Sequence, residues 1–238
     1  MNNIHVICLK WGTKYSSEYV NNLFAAIRRH STIPINLYCF TDDANGITIP
    51  NIKILPLPEN NLEGWWNKLY LFSKDLPIPA GEKIVFFDLD TLVTSNIDDI
   101  LLFEPNSLVV LRDFYTGLAK SVQGNDNIGS GLMMWTHGNY QYVWDQFIED
   151  PKSAMQEVHP HGDQRWIQKV VEQRTYWQDI FPDRIVSFKV HCRQGLPVQA
   201  SIVCYHGEPN IPDSITNTTK SWKWILSPAP WVKNHWRT

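Results

Sequence analysis

The sequence has no excess of charge of one sign: 21 Lys and Arg stand against 24 Asp and Glu among 238 residues, for a formal net charge of −3. No basic stretch tracks a nucleic-acid backbone, which argues against nucleic acid as a partner. Cysteine is scarce, with Cys8, Cys39, Cys192 and Cys204 forming no C-x-x-C pair and three of them lying in apolar, strand-like runs. They read as reduced core residues. No apolar run approaches the length of a membrane span, and no basic region followed by a signal-length apolar stretch opens the chain. Internal repeats, low-complexity tracts and linkers are also missing. One domain over residues 1–238, in a reducing, cytoplasmic setting, is the expectation.

Aromatic residues, by contrast, are abundant: eleven Trp and an aromatic fraction of 13%. Flat ring faces stack on sugars or bases, although plain packing accounts for most of them.

The chain is organised around Lys83 to Val93, an apolar run that breaks into two carboxylates one residue apart, Asp88 and Asp90. Val85, Phe86 and Phe87 are β-branched or aromatic, follow the turn Pro79-Ala80-Gly81 and show no polar alternation. That pattern predicts a strand buried on both faces of a central sheet. In open α/β sheets ligands bind beyond the carboxyl ends of strands, where Asp88 and Asp90 fall. Two carboxylates this close repel unless a cation or a shared proton sits between them, and hard divalent metals take oxygen ligands. A metal site is the economical reading; a D-x-D that merely caps the following segment is the plainer one.

The flanking pattern reads β-α-β. Ile4 to Leu9 is a strand, and Ser16 or Ser17 caps a helix with Glu18 in its first turn, Val20, Leu23, Phe24 and Ile27 on one face, and Arg28, Arg29 and His30 in the last turn. Ile35 to Phe40 and Ile52 to Leu55 are further strands. Trp65 to Ser73 can form a helix presenting Trp65, Leu69 and Phe72, with Lys68 near that face and solvated in the plain reading. Asn96 to Asp99 starts a short helix, Leu108 to Leu111 is a strand, and the Gly- and polar-rich stretch Thr116 to Asn127 reads as a mobile loop able to cover a site. Ile128 to Trp135, with Gly129 and Gly131 permitting close approach, is another inner strand. Asn139 to Phe147 and Asp163 to Val171 read as helices, and Ile202 to Tyr205 as a late strand delivering His206 and Gly207.

The stretch Asp88-Leu89-Asp90-Thr91-Leu92-Val93-Thr94-Ser95-Asn96-Ile97-Asp98-Asp99 closely resembles the D-x-D-T-L-V-x-x-N-I-D-D signature of glycogenin-like, family 8 glycosyltransferases. Leu9 to Tyr15, Lys68-Leu69, Gly129-Ser130-Gly131, Gly162-Asp163-Gln164 and His206-Gly207 agree with that family in order. The resemblance implies an α/β, GT-A type fold with a Rossmann-like mixed central sheet flanked by helices. It also implies a nucleotide-diphospho-sugar donor, expected to be a UDP-sugar, a glycan or other hydroxyl acceptor, and retention of anomeric configuration. Asp88, Asp90 and His206 would hold a divalent metal, manganese or magnesium, and the imidazole favours manganese. Lys68 would add positive charge near the diphosphate or donor sugar. Leu9, Trp11, Gly12 and Tyr15 would cradle the base and ribose, Leu89, Gly129, Ser130 and Gly207 would line the donor site, and Asp163 and Gln164 would lie beside the reacting sugar carbon. Gly162 to Gln164 equally reads as a helix start, and an inverting path would need a base such as Asp163 or Asp126.

The family's late motif continues from His-x-x-Gly to Lys-Pro-Trp, whereas this chain reads His206-Gly207-Glu208-Pro209-Asn210 with no lysine. Lys189, read as a strand-end residue, is the candidate replacement charge. The run Phe86 to Val93 also resembles the first motif of haloacid-dehalogenase-type phosphatases, with Asp88 as nucleophile and Asp90 as acid/base. That motif carries a Gly before the Thr and usually opens its chain, and here neither holds. An inactive, glycan-binding relative is the non-catalytic alternative.

Overall fold

The computed structural model describes residues 3–59, 61–115, 127–220 and 225–238. In chain order the elements are β1 (Ile4–Lys10), α1 (Ser17–Arg29), β2 (Asn36–Thr41), β3 (Lys53–Pro56), a 3₁₀ helix (Gly64–Phe72), β4 (Lys83–Phe87), β5 (Thr91–Val93), α2 (Asp98–Leu102), β6 (Leu108–Arg112) and β7 (Ile128–Thr136). There follow α3 (Tyr142–Glu149), α4 (Pro151–Glu157), α5 (Asp163–Val170), β8 (Arg174–Tyr176), α6 (Trp177–Ile180), β9 (Ile185–Ser187), α7 (Phe188–His191), β10 (Ile202–Cys204) and α8 (Ile211–Thr216).

The main sheet has the order β3-β2-β1-β4-β7-β6-β8 among the described residues. β3, β2, β1 and β4 are parallel, β7 runs against both β4 and β6, and β6 and β8 are again parallel. A second, small sheet orders β5-β10-β9.

β4 is buried along its whole length, as its sequence requires, and its side chains divide between two cores. Val85 and Phe87 pack with Val20, Leu23, Phe24 and Ile27 of α1 on one face. Ile84 and Phe86 pack with Leu69 and Phe72 of the 3₁₀ helix, Phe147 of α3 and Trp166 of α5 on the other. The absence of polar alternation in this strand is thus explained by apolar neighbours on both sides. All four cysteines are buried and free of disulfides.

Two local expectations change. The segment read as a helix over Trp65 to Ser73 is 3₁₀, entered from Gly64 at φ +59°. With three residues per turn, side chains at i and i+3 eclipse. One row becomes Trp66, Leu69 and Phe72 against the core, and another becomes Trp65 and Lys68. Lys68 is therefore buried rather than solvated, while Trp65 is 58% exposed. Lys189 is not at a strand end but in α7, because the Ser187 hydroxyl accepts from the Val190 amide at 3.3 Å and turns the alternating Ser-Phe-Lys-Val-His run into a helical turn.

Of the expected mobile loop Thr116 to Asn127, positions 116–126 lie outside the described residues, and so does Asp126. The two ends are tied by the Asp113 amide donating to the Asn127 carbonyl at 2.9 Å. Among the described residues no helix is long and apolar enough to cross a membrane.

Candidate active site

Strand register brings two distant segments to the carboxyl end of β4. Because β7 is antiparallel to β4 and pairs Leu132 with Phe87, its opening residues lie beside the residues that follow β4. The Asp88 amide donates to the Gly131 carbonyl at 2.8 Å, and a Cβ at 131 would come 3.2 Å from Asp88 Oδ2. Glycine there lets the carboxylate lie against the neighbouring strand. On the other side β10 pairs antiparallel with β5, matching Cys204 to Thr91, and the Tyr205 amide donates to the Asp90 carbonyl at 2.9 Å. His206 follows directly. These segments, with the Trp65 and Lys68 row and the start of α5, enclose a cavity of about 540 Å³.

Lys68 organises the charges. Its Nζ straddles Asp88, at 3.1 Å from Oδ1 and 3.3 Å from Oδ2, and stands 3.3 Å from Asp163 Oδ2. It also donates to the Ser130 hydroxyl at 3.1 Å, and that hydroxyl donates to Asp163 at 2.6 Å. Burial alone would lower the Lys68 pKa, but Asp163 and Asp88 outweigh it and hold the ammonium protonated above its ordinary range. Asp163 opens α5 after Gly162 without capping it, so its carboxylate belongs to this buried network.

Asp90 forms no such ion pair among the described residues, although Lys14 and Lys68 act on it to lower its pKa. Burial and the charge of Asp88 push it up to about 7, against a hydrogen bond from Tyr15 Oη at 2.9 Å. Asp88 is raised too, chiefly by burial. His206 is lowered to about 4 by burial and then by Lys189 and His191, so it is neutral near pH 7. Its Nε2 lies 2.7 Å from Ser187 Oγ, and its ring stacks on Phe114 at 6.0 Å and meets Tyr115 edge-on at 5.2 Å.

No protein-family model matches the sequence, and no curated protein does. Solved structures do share its architecture. GlyE of Streptococcus pneumoniae TIGR4, a glycosyltransferase, aligns at TM-score 0.63 and 13% identity over 89% of this chain and 56% of its own. The galactosyltransferase LgtC, solved with donor and acceptor sugar analogues, aligns at 0.60 and 12% over 87% and 88%. WbbM, a bifunctional glycosyltransferase, aligns at 0.60 and 12% over 98% and 51%. The fold is GT-A. This chain spans about half the length of GlyE and WbbM.

Within this GT-A fold the cavity collects Lys68, Asp88, Asp90, Gly129, Ser130, Asp163, Gln164, His206 and Gly207 from the expected set. Tyr15 joins it through Asp90. Leu9 and Leu89 point instead into the two cores, Gly12 donates its amide to Asp42 at 2.8 Å, and Trp11 lines neighbouring grooves. Asp88, Asp90 and His206 share the cavity, yet no group of three His, Cys, Asp or Glu side chains among the described residues stands ready-made for a metal. The Asp88 and Asp90 pair nevertheless fits a dication by its chemistry, since each carboxylate is destabilised by burial and Asp90 also by its neighbour's charge.

The sequence reading omitted Trp65, Asp113, Phe114 and Tyr115, which also line the cavity. The last three directly follow β6, which runs in the same direction as β4, so the strand-end rule applied to β6 would have found them. Trp65 required knowing that its helix is 3₁₀.

Proposed function

We propose that residues 1–238 form one metal-dependent glycosyltransferase domain of the glycogenin-like type. It moves a sugar from a nucleotide-diphospho-sugar, expected to be a UDP-sugar, to a hydroxyl acceptor with retention. The observation that carries this reading is the convergence of Asp88, Asp90, Lys68, Asp163 and His206 on one cavity beyond β4. The glycosyltransferases of similar fold support it and do not favour a phosphatase.

Each side chain has a distinct task. Asp88, Asp90 and neutral His206 would hold the metal, which when bound supplies Lewis-acid stabilisation of charge on the diphosphate leaving group. Tyr15 orients the Asp90 carboxylate. Lys68 keeps its proton and, backed by Asp163 and Ser130, presents a fixed positive charge toward the donor. Gln164 is solvent-exposed at the rim, where it meets the donor sugar and acceptor. Lys189 is a second cation at this wall: a Cβ on Gly207 would lie 3.5 Å from its Nζ. It serves the diphosphate in place of the missing Lys-Pro-Trp lysine.

The test is calorimetric titration of UDP and other nucleoside diphosphates with and without manganese, followed by a nucleotide-sugar screen for metal-dependent hydrolysis. Metal-dependent diphosphate binding that disappears in Asp88→Asn, in a variant that still melts cooperatively, is expected. Diphosphate binding equal with and without metal, or unaltered in Asp88→Asn, overturns the reading.

A further inference from the structure

A second groove, of about 750 Å³, opens on the far side of Trp65. It lies between the start of the 3₁₀ helix and the α3–α4 junction, and it shares Trp65 as a wall with the cavity beyond β4. We propose that this groove is an extended subsite for a neutral oligosaccharide acceptor, so that the acceptor is a glycan chain rather than a single sugar. This rests on the transferase reading for what happens at the chain's end, and on the groove's own chemistry for the rest.

Five of the nine tryptophans among the described residues are explained by packing. Trp135, Trp144, Trp166, Trp177 and Trp236 are buried. Trp11 and Trp65, at 37% and 58% exposed, are not, and both line this groove with half-buried Trp66. Leaving such rings in water forgoes the stabilisation that burial would give. Two of the three rings are nonetheless held in place. Trp66 is stacked on Phe147 at 5.5 Å with planes 10° apart. Trp65 lies against Gly162, where any side chain would run into the indole. Rigid, exposed indole faces suit the apolar CH faces of sugar rings at little entropic cost.

The polar groups decide among ligands. Glu63 and Glu149 are exposed on the groove and form no ion pair among the described residues, while Lys152 is the cation there. With Asp150 also on the wall, carboxylates outnumber ammonium groups, which disfavours a phosphorylated ligand such as a second nucleotide. Carboxylates accept hydrogen bonds from hydroxyls, as sugars require and a lipid chain does not. The volume is within the roughly 300–1,000 Å³ usual for small-ligand sites. Continuity through Trp65 gives the direction: a chain lying in the groove delivers its end over Trp65 to the cavity where Lys68 and Asp163 sit.

The experiment uses the whole chain and a panel of neutral gluco-, galacto- and manno-oligosaccharides of increasing length, followed by indole NMR signals and calorimetry. At least one series is expected to bind about tenfold more tightly as a tri- or tetrasaccharide than as a monosaccharide, the increment that one stacked ring and one carboxylate hydrogen bond supply. That increment should shrink in Glu63→Ala/Glu149→Ala, whose exposed sites leave the fold intact, and disappear in Met155→Trp, which fills the groove from α4. Affinity independent of length in every series, or an increment that survives both variants, overturns the proposal. So does binding of a basic peptide through Glu63 and Glu149 with no glycan binding. Diphosphate and manganese titrations run alongside separate the two readings. Groove binding without metal-dependent diphosphate binding leaves the subsite and removes the transferase, and the reverse removes the subsite alone.

Discussion

A buried ammonium is tolerated only where carboxylates and hydrogen-bond acceptors replace its lost hydration. Lys68 meets that condition through Asp88, Asp163 and Ser130, and the same contacts aim its charge at the cavity. Removing one member of such a cluster leaves the others uncompensated, at a cost of about 3–5 kcal/mol. Lys68→Met should therefore lower the unfolding free energy in urea by about 3 kcal/mol. Adding Asp163→Asn, which removes one of the two orphaned charges while an amide oxygen still accepts from Ser130, should recover at least about 1 kcal/mol. No loss in the single variant, or no recovery in the double one, would show that the charges are not coupled as read. Nothing local to Lys68 in the sequence announces this role. The residue type and its place in a motif were visible, but its partners come from β4, β7 and α5, and only the sheet register brings them together.

At the scale of elements, those with many periods were legible, and of the three-residue strands among the described residues only β10, an apolar run, was. α1 repeats its apolar face over thirteen residues, and β4 and β7 are unbroken apolar runs. β5, β8 and β9, each three residues, are too short to show alternation, although β5 with β10 is what carries His206 to Asp90. The 3₁₀ helix was misread because Leu69 and Phe72 fit an α-helical face with Trp65 and a 3₁₀ row with Trp66 equally well. Elements also depend on the joints between them. The end of α1 is tied to the start of α2 by Asp98, whose Oδ1 accepts from the Thr32 amide at 2.9 Å and Oδ2 from the Thr32 hydroxyl at 2.6 Å. Burial works to raise the Asp98 pKa, but the bonds from Thr32 and Asn96 prevail and bring it from 3.8 to about 2. A depressed carboxylate contributes stability above its unfolded value and loses it as pH falls through the folded one. The melting-temperature advantage of wild type over Asp98→Asn should thus be constant above about pH 5 and vanish toward about pH 2. Solvent screening at this rim limits it to a few tenths to about 1 kcal/mol. An advantage that grows on acidification would refute the assignment.

For the whole molecule, a sheet with an apolar layer on each face has two cores that share strands but not side chains. Phe24 of α1 belongs to one, and Phe147 of α3 to the other. Alternation along β4 keeps them apart: Val85 and Phe87 face the first, Ile84 and Phe86 the second. This division was implicit in a strand read as buried on both faces, whereas which helix covers which face was not, because it depends on how the chain crosses the sheet. It has an energetic consequence. Substitutions that share no partners add, within about 0.5 kcal/mol, and those in contact do not. Phe24→Leu and Phe147→Leu should each cost about 1 kcal/mol and should sum in the double variant. Phe147→Leu combined with Trp66→Leu should depart from the sum, since those rings stack at 5.5 Å and the first loss already removes part of what the second would lose. The two cycles, measured by urea unfolding with equal m-values, distinguish two cores from one. Strong coupling between Phe24 and Phe147 would mean that the sheet transmits strain between its faces, and the cavity beyond β4, bounded by both layers, would then feel substitutions in either.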